Sequence, residues 1–100
     1  MKNGYSIKWS DHALEELVEV ITYLEDNWTE KELKNLSRKI EKTVFLISNN
    51  PELYPVIFKE KTIRRAVITK HNNLYYRKQN GEIEIISFFS NRKNPKRLNL

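Results

Sequence analysis

Basic and aromatic side chains form the one grouping in this sequence with the means to do chemistry. Arginine and lysine bind phosphate oxygens, and tyrosine stacks on nucleic-acid bases. Together they could stabilise the charge on a pentavalent phosphate without a metal ion. The grouping predicts a surface for an anionic partner such as RNA, DNA or an acidic protein segment, with ordinary solubility charge as the alternative. Its members lie in the second half of the chain: Lys59, Lys61, Arg64, Arg65, Tyr75, Tyr76, Arg77, Arg92 and Lys93.

Other sources of catalysis are scarce. His12 and His71 fall at a predicted helix start and in a predicted turn, and neither has a carboxylate or a second histidine at metal-ligand spacing. The absence of cysteine excludes a thiolate nucleophile, a disulfide and a cysteine metal site. With only two glycines, Gly4 and Gly81, a glycine-rich phosphate loop is not expected. We therefore predict neither a metal ion nor a cofactor.

The charge is divided unevenly along the chain. Residues 1–50 carry seven Lys/Arg and nine Asp/Glu, a net charge of −2. Residues 51–100 carry eleven and four, a net charge of +7, and together the halves give the formal +5. The basic charge is therefore assigned to the second half. Between residues 11 and 26 there are six acidic residues and no Lys or Arg, which predicts a negative, solvated helix face.

The length and hydropathy of the chain limit its class. One hundred residues are enough for a single domain with one core. No apolar run is long enough to span a membrane, and the first residues lack the apolar segment of a signal peptide. We expect one cytoplasmic domain, residues 1–100, in which 91–100 form a basic tail.

The first half predicts a strand and then two helices. Gly4–Trp9 alternates apolar and polar residues, which is typical of a half-buried strand. A cap at Ser10 or Asp11 starts a helix that runs to about Trp28, and a capping box at Thr29 starts a second helix that ends near residue 50. The short link predicts an antiparallel hairpin. Each helix has one apolar stripe: Leu14, Leu17, Val18, Ile21 and Leu24 on the first, and Leu33, Leu36, Ile40, Val44 and Ile47 on the second.

The second half predicts a three-stranded antiparallel meander. Its strands are Ile63–Ile68, Leu74–Arg77 and Ile83–Phe89, each rich in β-branched or aromatic residues. Asn80 and Gly81 suit a type I′ turn, because both central residues of that turn have positive φ. Residues 51–61 are expected to be a connecting loop.

The last strand is predicted to be internal to the sheet, because it is apolar on both faces. Strict alternation places Ile83, Ile85 and Phe89 on one face and Ile86 and Phe88 on the other. Two amphipathic helices need a third surface to pack on, and the sheet provides it. The predicted fold is therefore α+β, with both helices on one face of the sheet.

Alternation also separates neighbouring functional candidates. Arg64 lies on the opposite face from Arg65, so one of them is expected to be exposed and the other held at the core edge or paired with a helix acid. Tyr75 and Tyr76 are likewise divided between the faces, so one can be in the core and the other functional. The sequence does not decide which face carries the helices.

Five segments of the sequence, together with the predicted order of strands and helices, resemble a known family. They are SDHALEELVEVITYLEDNW, NNPELYP, IRRAVI, LYYR and FFSNRKNP, and they cover nearly the whole chain. The chain resembles the RelE/ParE superfamily of type II toxin–antitoxin toxins. The resemblance implies a growth-inhibiting toxin, of the kind that stabilises plasmids, neutralised by an antitoxin whose extended or helical segment wraps it.

The resemblance implies different targets for the two branches of the superfamily. The RelE-like branch cleaves mRNA in the ribosome with basic residues and, in many members, a His or Tyr near the end of the last strand. The ParE-like branch acts on DNA gyrase and lacks that catalytic set. Here the strand end reads Phe88-Phe89-Ser90-Asn91-Arg92, without an imidazole or a phenol. The chain is therefore more similar to the ParE-like branch.

The leading hypothesis from the sequence is inhibition of gyrase or a related topoisomerase by binding. Its expected target contacts are Arg65, Tyr75, Arg92, Lys93, Lys96 and Arg97. The alternative is a ribosome-dependent mRNA endoribonuclease of the RelE type, partnered by ribosome and mRNA. Its phosphate site would be Lys61, Arg64, Arg65, Arg77 and Arg92, and Tyr75 or Tyr76 would stack on a base or donate a proton. A third possibility is a toxin fold that has lost toxicity and persists as a binding module. In each case the antitoxin is expected beside the helix hairpin or at a free sheet edge.

Overall fold

The helices and strands follow the predicted order, with one strand more than expected. A computed structural model describes residues 4–27 and 30–91. The elements are β1 (Ser6–Trp9), α1 (Asp11–Asn27), α2 (Glu30–Asn49), β2 (Val56–Phe58), a short 3₁₀ helix (Lys59–Lys61), β3 (Ile63–Thr69), β4 (Asn72–Gln79) and β5 (Glu82–Ser90). Neither helix in the described ranges is long and apolar enough to cross a membrane.

The N-terminal cap predicted for α1 is present in the structure. Ser10 Oγ accepts a hydrogen bond from the Ala13 amide at 3.0 Å, which is the N-cap geometry expected for α1. The same hydroxyl donates to the Ile86 carbonyl at 3.0 Å, so the cap also ties the helix to β5. Trp28 and the capping box at Thr29 lie outside the described residues.

The sheet has five strands in the order β1-β5-β4-β3-β2. The first pair is parallel and the other three are antiparallel. β5 lies between β1 and β4, which confirms its predicted internal position. The predicted turn is also confirmed, since Asn80 has φ of 53° and Gly81 of 77°. Residues 4–27 and 30–91 thus form the α+β fold that the sequence predicts, with the helices on one face of the sheet.

The prediction of a loop over residues 51–61 was wrong in one part. Val56–Phe58 forms an edge strand that pairs with β3, and Lys59–Lys61 forms a 3₁₀ turn. The segment is β-branched and aromatic, as strands prefer, but Pro55 precedes it and only three residues pair. Such a strand is too short to show a period of two in the sequence.

The predicted faces of β5 were wrong beyond its midpoint, because the strand contains a bulge. Tyr76 pairs with Ile85 and Tyr75 pairs with Ser87, so Ile86 has no partner on β4. The extra residue reverses the alternation that follows it. As a result Phe88, not Phe89, joins Ile83 and Ile85 in the main core beneath the helices.

The buried stripe of α1 is rotated from the predicted one. The residues of α1 that are buried are Ala13, Glu16, Val20 and Leu24, whereas Leu14 is 44% and Val18 59% exposed. Leu17 and Ile21 are half-buried between the two faces. The helix therefore packs on β5 with one side and leaves a second apolar strip towards solvent.

Candidate functional site

Arg64 and Arg65 are separated as alternation predicts, and Arg64 is the one held at the core edge. Its Nη1 donates to the Tyr54 carbonyl at 2.7 Å and to the Glu52 carbonyl at 3.3 Å. Arg65 is exposed on the face away from the helices. Arg64 therefore fastens the segment before β2 to β3, and Arg65 alone of the two is available to a partner.

Tyr75 and Tyr76 also point to opposite faces, and both are buried. Tyr76 is fully buried in the main core and its hydroxyl donates to the Pro51 carbonyl at 2.8 Å. Burial raises the pKa of Tyr76 to about 12, although a backbone hydrogen bond at Tyr54 and the charge of Arg64 oppose the rise. Tyr75 is 4% exposed, in a second cluster with Ile63 and Phe89. The structure thus places both rings in packed clusters, and neither presents an open face on which a base could stack.

The remaining cations of the predicted phosphate site are spread over the sheet. Arg77 Nε lies 3.2 Å from Glu84 Oε1, with each side chain about one-third exposed. Lys61 ends the 3₁₀ turn and is exposed, next to Thr62, whose φ of 53° is unusual for a β-branched residue. Arg77 follows Tyr75 by two residues and therefore shares the helix-free face with Arg65, whereas Arg64 lies on the face that the helices cover. The described arginines of the set are thus divided between the two faces of the sheet. The predicted contacts Arg92, Lys93, Lys96 and Arg97 lie outside the described residues.

The end of β5 is joined to the β3–β4 turn. The Asn91 amide donates to the His71 carbonyl at 2.6 Å, and its side chain donates to the Lys70 carbonyl at 3.0 Å. His71 was interpreted from the sequence as an ordinary turn residue. The sheet brings it beside the strand end that itself has no imidazole or phenol. It is half-buried and lines a pocket of about 220 Å³ against α2.

Glu16 is a buried residue that the sequence analysis had assigned to the solvated acidic face of α1. It is 4% exposed, and its Oε1 accepts hydrogen bonds from Ser87 Oγ at 2.6 Å and from the Phe88 amide at 2.9 Å. His12 Nε2 lies 3.4 Å from the same oxygen, so the interpretation that His12 has no carboxylate at ligand spacing was wrong, because Glu16 is one helical turn away. The carboxylate therefore satisfies donors next to the β5 bulge and joins α1 to the sheet.

Replacing Arg64 by alanine should destabilise the protein, because two backbone carbonyls lose a charged donor. We expect a loss of about 1–2 kcal/mol in the free energy of unfolding, measured by urea denaturation. Arg65→Ala is the matched control and should change it by no more than about 0.5 kcal/mol. Equal effects of the two substitutions would contradict the structural role given to Arg64.

The sequence of the chain also matches a known protein family. Residues 7–95 match the family model described as the ParE toxin of the type II toxin-antitoxin system, parDE. The chain belongs to the ParE toxin family. The resemblance to the RelE/ParE superfamily is thereby confirmed. As a toxin of a type II system, this ParE-family protein has a cognate antitoxin as its protein partner.

Two solved structures share the fold of this ParE-family toxin. One is from the chromosomal ParDE toxin–antitoxin system of P. aeruginosa, with a TM-score of 0.64, 14% identity, and coverage of 89% of this chain and 98% of that chain. The other is the YoeB dimer from Staphylococcus aureus, with a TM-score of 0.58, 21% identity, and coverage of 85% and 94%. At these identities the likeness establishes the fold alone. No curated protein sequence matches the chain significantly.

An apolar groove runs between the two helices of the ParE-family toxin. It has a volume of about 350 Å³, and its walls are almost entirely apolar. Leu14 and Val18 extend the apolar surface along the exposed side of α1. The residues that line the groove are Leu17, Ile21, Leu33, Lys34, Leu36, Ser37, Ile40 and Glu41.

Proposed function

We propose that this toxin inhibits DNA gyrase, or a related topoisomerase, by binding and not by catalysis. The observation that carries the proposal is the arrangement of the cations. Arg64 is engaged with two backbone carbonyls and lies on the opposite face of the sheet from Arg65 and Arg77, and Arg77 is paired with Glu84. A phosphate site needs such groups aimed at one point, and catalysis in addition needs a proton donor within reach. The match to the ParE toxin family supports the same proposal.

The proposed contacts to the target are basic residues of the helix-free face and of the C-terminal sequence. Arg65 is exposed on the helix-free face, and Arg92, Lys93, Lys96 and Arg97 extend the basic sequence beyond Asn91. Tyr75 stays a proposed contact only if binding displaces the residues that bury it. We place the toxin in the cytoplasm, where gyrase acts.

The antitoxin is proposed to bind along the groove between the helices. An amphipathic helix or extended segment could bury its apolar side against Leu17, Ile21 and Ile40. The exposed Leu14 and Val18 offer further apolar surface to the same segment. The outer edge of β1 is the second candidate, since among the strands of residues 4–27 and 30–91 it pairs with β5 alone and lies at the edge of the sheet.

Assays with purified toxin separate the two candidate functions. We expect the toxin to inhibit DNA supercoiling by gyrase, and added antitoxin to restore it. We expect no cleavage of a defined mRNA, either free or on programmed ribosomes. Deleting residues 93–100 should remove the inhibition, whereas full inhibition by the shortened chain would exclude the tail as a contact. Cleavage restricted to ribosomes, with supercoiling unaffected, would overturn the proposal.

The alternative function is a ribosome-dependent mRNA endoribonuclease of the RelE type. One observation favours it: the backbone of His71 lies beside the end of β5, a strand end whose own sequence contains no His or Tyr. In that case Arg65→Ala and His71→Ala would each abolish cleavage without loss of stability. If the toxin is a gyrase inhibitor, neither the unaltered protein nor these two variants should cleave mRNA.

A further inference from the structure

Helix α2 carries a row of cations that the division of charge between the halves of the chain concealed. Its members are three, four and four residues apart, and such spacing places side chains on one face of a helix. At about 1.5 Å per residue the row extends about 16 Å along the helix axis. All four side chains are exposed: Lys31, Lys34, Arg38 and Lys42.

The cations of the row are not engaged in ion pairs within the part of the chain that the structure describes. In residues 4–27 and 30–91, none of its four cations forms a hydrogen bond or an ion pair. Two acidic residues border the row, Glu30 one helical turn before Lys34 and Glu41 three residues after Arg38, so the row keeps an excess of positive charge. Solubility alone does not require charges of one sign to be aligned on a single face. The arrangement creates a strip of positive potential on a rigid element.

Phe45 continues the row by a further three residues and is 66% exposed. An aromatic ring at that exposure gains free energy by burying its surface against an apolar group such as the ring of a deoxyribose, in addition to the attraction between charges. The row thus combines regularly spaced cations with an apolar end.

We propose that this face of α2 binds the phosphate backbone of duplex DNA. A straight row on a rigid helix matches a polyanion whose charges are themselves regularly spaced, and four cations can each neutralise one phosphate. An acidic protein segment would have to order its own side chains to match the row. The choice of DNA rests in part on the proposed function, because gyrase acts on DNA.

The test is the salt dependence of binding to a fluorescently labelled DNA duplex of arbitrary sequence, measured by anisotropy with toxin alone. Each phosphate neutralised contributes about 0.9 to the slope of log K against log salt, so four contacts predict a slope of about −3.6. Lys34→Gln combined with Arg38→Gln should reduce the magnitude of that slope by about 1.8 and weaken binding at low salt at least about tenfold. Lys8→Gln combined with Lys70→Gln is the matched control, since it removes the same charge away from the row.

The control variant should bind within about twofold of the unaltered toxin, which excludes net charge as the cause. Equal losses in the two double variants, or an unchanged salt slope, would overturn the proposal. So would tighter binding of an RNA duplex of the same sequence, or a loss of antitoxin affinity with DNA binding intact. Urea denaturation of each variant excludes unfolding as a cause. Because no gyrase is present, failure here is distinct from failure to inhibit supercoiling.

Discussion

Replacement of Glu16 by alanine is expected to lower the free energy of unfolding by about 3–4 kcal/mol. The carboxylate is buried and accepts hydrogen bonds from Ser87 Oγ and the Phe88 amide. Its removal leaves both donors without partners in the interior, and each unsatisfied donor costs about 1–3 kcal/mol. It also opens a cavity between α1 and β5. Urea denaturation monitored by circular dichroism measures the loss.

Two further substitutions show whether the effect arises from these hydrogen bonds. Glu15→Ala removes an exposed carboxylate from the same helix turn and should change stability by no more than about 0.5 kcal/mol. Glu16→Gln retains the shape and one acceptor oxygen, so it should cost about half as much as alanine. If Glu15→Ala and Glu16→Ala were equally destabilising, the loss would reflect the charge of α1 and not the buried contact.

Glu16 also illustrates what hides a structural residue from sequence reasoning. The apolar pattern of α1 predicts a stripe through Leu14 and Val18, yet the helix packs through Ala13 and Val20, and Glu16 lies between these two. A glutamate in an acidic helix is most simply interpreted as solvated. Only its partners on β5, more than seventy residues away, give it a buried role. The helical spacing of Ala13, Glu16, Val20 and Leu24 does predict the buried face that the structure shows. That prediction places a charged residue in the core, so the apolar stripe through Leu14 was preferred.

The strands show a similar division between local and long-range information. Ile63–Thr69 and Glu82–Ser90 are long enough for their composition to identify them, whereas Val56–Phe58 is not. The β5 bulge depends on the register with β4 and on the side chains of Ser10 and Glu16, which bond to its backbone, so alternation within β5 alone cannot reveal it. For the same reason alternation separated Arg64 from Arg65 correctly, because no irregularity lies between them. The target contacts in the tail remain predictions.

Stability is expected to fall steeply above pH 10, and Tyr76 is the expected cause. Its pKa is about 12 in the folded protein and 10.0 in the unfolded chain. Below pH 10 both states keep the phenol proton, so the contribution of Tyr76 to stability is complete. Between pH 10 and 12 the unfolded chain loses the proton first, and the folded state is disfavoured by about 1.4 kcal/mol per pH unit.

Tyr76→Phe is the variant that isolates this effect from the titration of lysines and the other tyrosines. At neutral pH it should cost about 1 kcal/mol, because the Pro51 carbonyl loses its donor. Above pH 10 the stability of the variant should decline less steeply than that of the unaltered protein, so the two curves converge and then cross. Urea denaturation at pH 7, 9, 10 and 11 provides the comparison. Parallel curves would mean that burial does not raise the pKa of Tyr76. A proton-donor role for Tyr76 would then stay open, because a phenol with an ordinary pKa is a better acid than one with a raised pKa.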